Sequence, residues 1–473
     1  MPAEARGSRE GSSRFLALFR SRPVLLVAFA LAIMADPVSS VAYAIEAALG
    51  ALEDGGSGLG LLLPTMGLVV LVIGVIVLNY RQIVSRFPEG GGAAAASGQA
   101  FGEAWAFLPI GALIVDFVLT AAISVSSGAS AIVAFLPTLA PVQVVLALIL
   151  LLVVAGISWY GHSARSLFAF MVTAFLAVGA VVLIGGFVVA EPAEAASRAA
   201  GSGQGGGLAL ASILLAFPVA MALATGIEAP SSAIAQLGQL DNEGRKRFGH
   251  ITLFATLLIV GSLTLGLTIL AVRLGVGLPS GDSIDSTLIA EVARTSVGNG
   301  SLFAVFQAVT ALLLVAAGAS ALQAGPGLLK ALAREEIGDD EAKGVLPSWL
   351  GRTNRFYTPF WGVIVYMVLT AAVVAVAGAE EQSLVLFYAV SVFLSFFAGL
   401  AAMVVFSYRE GDRRALVLNV VGALIVGFVL VINLARGLPL ISMGASLLIA
   451  FLLYLLWVRK GRPRGIAGAG AEE

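Results

Sequence analysis

Three acids stand inside stretches that are otherwise apolar: Asp36, Asp116 and Glu228. Two of them have matching surroundings. One stretch reads Asp36-Pro37-Val38-Ser39-Ser40-Val41-Ala42-Tyr43, the other Thr225-Gly226-Ile227-Glu228-Ala229-Pro230-Ser231-Ser232. Each holds an acid, a proline within two residues and a Ser-Ser pair. Proline removes a backbone donor and blocks the helix behind it, so carbonyl oxygens lose their partners. An acid, hydroxyls and freed carbonyls make an oxygen set suited to a weakly hydrated cation. Acids crowded together without a base cannot all ionise, which points to proton binding as well. No lysine or arginine lies deep enough to neutralise them. A fourth acid, Glu46, lies nearer the end of its stretch and is expected to face water.

The elements that position these residues are membrane spans. Of 473 residues, 59% are hydrophobic and 12% charged, with a mean hydropathy of +1.00. Soluble domains carry about 25% charged residues. A helix crosses the hydrocarbon core with roughly 20 apolar residues. On that basis the chain divides into an all-α membrane protein of about twelve spans: 23–51, 58–80, 102–136, 141–160, 164–190, 207–236, 249–274, 300–325, 356–378, 383–407, 413–435 and 437–458. With both termini inside, all but Arg198, Arg273, Arg294 and Arg436 of the 27 Lys and Arg fall on the inner side, as the positive-inside rule requires. The five tryptophans fall near the inner helix ends. The basic start is not followed by a convincing cleavage site, so the first apolar stretch is read as an uncleaved span.

The same composition excludes several classes. There are no cysteines, which removes disulfides and thiol chemistry. The two histidines, His162 and His250, fall in expected inner loops, so a histidine metal cluster is not expected. A net charge of -1 leaves no basic surface for nucleic acid. No nucleophile–base pair is visible, and no loop is long enough for a soluble domain; the chain is not expected to be an enzyme.

The two acid–proline stretches lie in the first and sixth spans, five apart, so they run in opposite directions. Helix breaks at corresponding places of two inverted halves mark a midplane transport site. Pro37, Gly226 and Pro230 are the expected breaks. Chance remains an alternative for the Pro-Ser-Ser match alone. Two buried acids at the same breaks would otherwise cost several kcal/mol with no return.

With these residues in place the chain resembles the amino acid–polyamine–organocation (APC) superfamily. The loop from Tyr80-Arg81-Gln82 to Arg86-Phe87-Pro88-Glu89-Gly90, the sixth-span Thr225-Gly226-Ile227-Glu228, and the stretch from Leu328 through Leu346-Pro347 to Pro359 carry the resemblance. It implies a 5+5 inverted-repeat (LeuT-like) fold with broken helices 1 and 6. Five-helix halves over 23–190 and 207–407 follow, joined by a 191–206 connector, with helices 11–12 over 408–458, a 1–22 N-terminal segment and a 459–473 tail. The motifs are most similar to the KimA/KUP-like potassium–proton symporters. That resemblance implies potassium ligands at Asp36, Tyr43 and Thr225, and a site completed by Asp116, Glu228 and Tyr388. Helix eight departs from the group: Ala317 to Gln323 contains no acid.

The chemistry agrees with a cation. An amino acid permease of this superfamily would hold the substrate carboxylate on bare amides at the second half-helix, where the dipole favours an anion. Here Asp36 occupies that place and Pro37 has no amide to offer. A second negative charge about 4 Å away would be repelled by roughly 4 kcal/mol at an effective dielectric of 20. Ser39 joins Tyr43, Thr225 and Tyr388 as a candidate cation contact, with Asp116 and Glu228 as proton carriers. Each has a plainer alternative: tyrosines as core aromatics, Thr225 bonding back within its helix, serines as helix-packing groups. The expectation is a proton-coupled symporter importing potassium; the alternative is a proton-coupled amino acid or amine permease of the same fold. A channel or a scaffold fits less well, for no filter-like repeat is visible and a scaffold needs no buried acids. No cofactor is expected beyond the transported potassium and protons. The expected surroundings are membrane lipid in the cell membrane. Oligomeric state is not readable, a homodimer being one option.

Overall fold

The computed structural model describes residues 22–161, 165–191, 206–280, 285–333 and 344–463. His162, Arg198, the arginines before Arg22, most of the 191–206 connector and the end of the tail lie outside them. Ten of the described helices are long and apolar enough to cross a membrane. Two more apolar segments are shorter: Val24–Ile33, the beginning of the interrupted first span, and Phe360–Val376. Together they make the expected twelve spans.

The first span is built of α1 (Arg22–Ile33), α2 (Ala35–Ser39) and α3 (Val41–Asp54). The second is α4 (Leu62–Arg86); a short helix, α5 (Gly92–Phe101), precedes the third span, α6 (Phe107–Phe135). Then come α7 (Gln143–Trp159), α8 (Arg165–Val188), and the sixth span, α9 (Gly206–Ala220) with α10 (Ala229–Ala233). The seventh span is α11 (Asn242–Leu274), followed by a peripheral helix, α12 (Leu288–Val297). The rest are α13 (Ser301–Leu332), α14 (Phe360–Val376), α15 (Glu381–Glu410), α16 (Arg413–Ala435) and α17 (Leu440–Arg459).

The third span is the hub. α6 packs against α13, α15, α17 and α7, and most of its side chains are buried. Its approach to α17 is close enough that a Cβ on Gly111 would meet the Ser446 carbonyl at 2.6 Å. Small residues at such crossings let backbones touch where lipid offers no hydrophobic drive. Span ends are set by caps: Asp241 accepts from Gly244 N at 3.0 Å and opens α11, and Asp412 accepts from Arg414 N and Ala415 N to open α16.

Several expectations are corrected. α4 does not end at residue 80 but runs to Arg86, because its buried stripe continues through Tyr80, Ile83 and Val84 while Arg81 and Ser85 turn outward. α13 likewise runs on to Leu332. α5 and α12 fall between the expected spans; each is too short to span, so a search for long apolar runs passes over it. His250 is not in a loop but on α11, its Nε2 paired with Ser85 Oγ at 2.9 Å and the Arg81 carbonyl at 3.1 Å. Glu46 does not face water: its Oε2 accepts from Leu288 N, 2.7 Å, at the start of α12.

The two interruptions differ in depth. The first span only kinks. Met34 and Ser40 keep right-handed helical dihedrals, and Val38 N still bonds Met34 O at 2.9 Å. Pro37 removes the donor that would have met the Ile33 carbonyl, without unwinding the turn. The sixth span unwinds fully. A 3-10 turn, Met221–Ala224, gives way to extended Thr225 (φ -50°, ψ 134°) and left-handed Gly226 (φ 70°), and helix resumes at Ala229.

Candidate functional site

The kink and the break meet. Ser40 Oγ donates to the Leu223 carbonyl across the two spans, 3.2 Å, as well as to Pro37 O at 2.7 Å. Gly226 lies so tightly against Asp36 that a Cβ there would fall 2.6 Å from Asp36 Oδ2 and 2.8 Å from Pro37 Cδ. Its left-handed φ and the missing side chain are therefore both required.

Around this contact the structure gathers six of the residues singled out in the sequence. The Tyr43 hydroxyl pairs with the Thr225 side chain and lies within electrostatic reach of Asp36 and Asp116. Asp116 lies within reach of both Glu228 and Asp36, with the hydroxyls of Tyr388 and Thr120 turned toward it. Tyr388 in turn lies within electrostatic reach of Asp116, Asp36, Glu228 and Tyr43. Tyr43, Thr225, Asp116 and Tyr388 are each 2% exposed or less.

Asp36 and Glu228 are only half-buried, since both line a cavity of about 380 Å³. That cavity runs from the two acids, past Gly92 and Ser231, to Gln323, Lys330 and Tyr357. It therefore extends toward the end of the bundle that carries Arg81, Arg86 and Arg413. At the other end the Glu46–Leu288 contact stands beside a second polar cluster. There Ser130 Oγ donates to Glu381 Oε2 at 2.6 Å, Gln143 Nε2 donates to Ser130 Oγ at 3.0 Å, and Glu46 lies within reach of Glu381 and Gln382.

Ser39 and Pro230 stand apart from this oxygen set. The Ser39 hydroxyl donates to the Asp36 carbonyl at 2.7 Å, so it closes the kink. Pro230 is the second residue of α10 and fixes where helix resumes. Thr225 does bond back, Oγ1 to the Ala222 carbonyl at 2.6 Å, which leaves its lone pairs directed to Tyr43 and the break.

Among the described residues these acids have no basic partner. Among the described residues the ion pairs are Arg86–Glu410, Lys246–Glu243 and Arg294–Glu291, and none touches these acids. Asp36 Oδ1, Asp116 Oδ1, Glu228 Oε2 and the hydroxyls of Thr120 and Tyr388 are buried without a hydrogen-bond partner. Buried polar atoms in such number are expected to meet a ligand or water. Among the described residues no three His, Asp or Glu converge closely enough to hold a metal ion. One carboxylate with phenolic, alcoholic and carbonyl oxygens is a donor set suited to a monovalent cation.

Sequence reasoning missed two residues here. Tyr80 on α4 is fully buried with its hydroxyl unpartnered and lies within electrostatic reach of Glu228 and Asp116. Tyr366 on α14 presses its ring against Gly325 and also lies within reach of Asp116. The first stands at the end of the expected second span, where it opens the loop motif, and that placing hid it. The second has no local signal at all.

Comparison with known proteins agrees with this architecture. The family profile described as amino acid permease matches residues 25–464. The chain is 29% identical over 407 residues to the potassium transporter KimA of Bacillus subtilis strain 168, a match covering 84% of this chain and 64% of that protein. The matched region thus spans somewhat less than two thirds of that relative's length. Two variant crystal structures of the Eremococcus coleocola manganese transporter superpose with TM-scores of 0.53 at 15% identity, covering 94% of this chain and 96% of theirs. They share the 5+5 inverted-repeat fold.

Proposed function

The chain belongs to the amino acid permease family, and on that premise we propose that it is a proton-coupled potassium symporter. As a member it is a multi-pass membrane transporter and not an enzyme. The finer reading rests on one observation: the Asp36 carboxylate lies against the Gly226 backbone at the sixth-span break. A fixed carboxylate at this break repels a substrate's own carboxylate and selects for positive charge.

In this reading potassium sheds water onto Asp36, the Tyr43 hydroxyl, Thr225 Oγ1 and break carbonyls. Asp116 and Glu228 carry the proton, since three neighbouring acids without a basic partner cannot all be charged unless a cation is present. Tyr388 lies within electrostatic reach of all three acids and Tyr43, and ties the cation half of the site to the proton half. The relative named a potassium transporter supports the choice of cation. The halves 23–190 and 207–407 would rock against each other around the site. With the basic face in the cytoplasm of a cell membrane, the cavity toward Lys330 and Tyr357 makes this an inward-open conformation.

The second reading is an amino acid or amine permease in which Asp36 pairs with the substrate's amine; a cavity of about 380 Å³ admits such a molecule. Rubidium-86 uptake by cells lacking their own potassium systems, run beside a labelled amino acid panel, separates the two. Proton-driven rubidium uptake competed by potassium is expected. Uptake of an amino acid with none of rubidium would replace the first reading by the second.

A further inference from the structure

We propose that the pocket between α4, α15 and α16, at the arginine-bearing end of the bundle, holds the phosphoethanolamine headgroup of a membrane lipid. The proposal does not depend on the transported substrate. The pocket encloses about 610 Å³ and shares no lining residue with the central cavity. The three helices that form it pack on one another.

Its wall has two edges, as a lipid requires. Leu78 and Leu418 form the edge nearer the middle of the membrane, and Arg81, Gln82, Arg86, Glu410 and Asp412 line the edge nearer its surface. Leu71, two turns before Leu78 on α4, and Val421, one turn after Leu418 on α16, are exposed and continue the apolar edge into the span. Such stripes face acyl chains, whereas arginines at span ends reach the headgroup layer.

The polar edge is held in place from behind. Asn419, fully buried on α16, donates through Nδ2 to Gln82 Oε1 at 3.0 Å and to Ser407 Oγ at 2.8 Å. That occupies the oxygen of Gln82 and leaves its Nε2 as a donor for the pocket. Arg86 is fixed by Glu410 and by the Phe406 ring, whose centroid lies 4.3 Å from its guanidinium carbon. Ser85 is already bonded to the Arg81 carbonyl and to His250. Arg81 itself makes no ion pair among the described residues. Asp412 accepts the amides of Arg414 and Ala415 on Oδ1, which leaves Oδ2 open.

The charges choose the headgroup. Two arginines and two acids line the pocket, so it offers both signs and no net charge. A phosphate matches the unpaired guanidinium of Arg81 with Gln82 Nε2 beside it. A primary ammonium matches Asp412 Oδ2, to which it can donate. Phosphoethanolamine carries these two groups on one short ethylene link. A phosphoglycerol headgroup would bring no cation to the acid, and a trimethylammonium has no N–H to give it.

The test uses full-length protein purified in detergent, stripped of lipid and melted with dioctanoyl lipids that differ only in headgroup. Phosphatidylethanolamine should raise the melting temperature with a half-saturating concentration at least tenfold below that of phosphatidylcholine or phosphatidylglycerol. Arg81→Gln, at an exposed side chain, should raise that concentration at least tenfold and leave the lipid-free melting temperature unchanged. Asp412→Asn keeps the helix cap, which asparagine makes as well as aspartate, and should shift the preference toward phosphatidylglycerol. Phosphatidylglycerol as the best ligand of the wild type would overturn the zwitterionic headgroup. Equal protection by all three headgroups, or by none, would overturn the site, as would wild-type half-saturation in Arg81→Gln. Glycerophosphoethanolamine, which has no acyl chains, should not protect. Protection equal to that of the lipid would overturn the lipid assignment and give the pocket to a soluble phosphoester.

Discussion

Gly226 and Asp36 stand 190 positions apart in sequence, yet the space a side chain would take on the glycine is filled by the aspartate's carboxylate, 2.6 Å from the Cβ position. The left-handed backbone that permits this, φ 70°, costs a non-glycine residue about 1–2 kcal/mol. Gly226→Ala therefore combines backbone strain with a collision at the proposed cation ligand. Rubidium uptake is expected to fall at least tenfold, while the purified protein stays monodisperse with a melting temperature only a few degrees lower. An alanine variant with full uptake would show that Asp36 and the break do not act as one unit.

The two half-buried acids should separate by phenotype. Asp36→Asn removes the only fixed charge proposed for the cation, and uptake is expected to vanish with expression unchanged. Glu228→Gln keeps the side chain's volume and removes its proton. Uptake should slow and lose its pH dependence in a pH-jump experiment on vesicles, with rubidium binding retained. Identical pH profiles for Glu228→Gln and wild type would remove Glu228 from the proton path.

Sequence and structure part company at particular residues. The acid–proline stretches were legible because each compresses its chemistry into eight residues, and the structure brings them together. Their unequal depth was not. Asp36-Pro37 kinks and Thr225-Gly226 unwinds, because only the second carries a glycine able to take positive φ. Tyr80 and Tyr366 come within electrostatic reach of the acids from helices whose own pattern is ordinary core packing. Glu46 reaches Leu288 across 242 positions, a pairing no local spacing reveals. Helices α5 and α12 escaped notice because ten residues are too few for a hydrophobic span.

The crossing of α6 and α17 is a stability prediction independent of transport. A Cβ on Gly111 would meet Ser446 O at 2.6 Å and Ala450 N at 2.7 Å. Both are backbone atoms, so neither can swing away. Gly111→Val must push α17 from the hub, and a loss of about 1–3 kcal/mol is expected. Thermal unfolding followed by tryptophan fluorescence reads it out, since Trp457 of α17 packs against Phe107 of α6 at 5.7 Å. An unchanged transition would mean that the last helix sits more loosely than this contact requires.

The end of the molecule away from the cavity holds a polar contact that can be loosened deliberately. Glu46 Oε2 accepts the Leu288 amide at 2.7 Å and ties the first span to α12, next to Glu381. Alternating access requires this seal to break when the site opens to the other side. A buried hydrogen bond contributes about 0.5–1.5 kcal/mol, enough to change an open–closed ratio roughly twofold to tenfold. Glu46→Ala should therefore populate the conformation open at this end. The natural absence of cysteine makes that measurable with a single introduced thiol. Ile289, 2% exposed on α12, is replaced by cysteine, and maleimide labelling is followed with Glu46 present or replaced. Labelling several-fold faster without Glu46 is expected, and saturating potassium should alter the rate in the parent. Equal rates would mean that packing of α12 alone keeps this end closed and that Glu46 is not part of the gate.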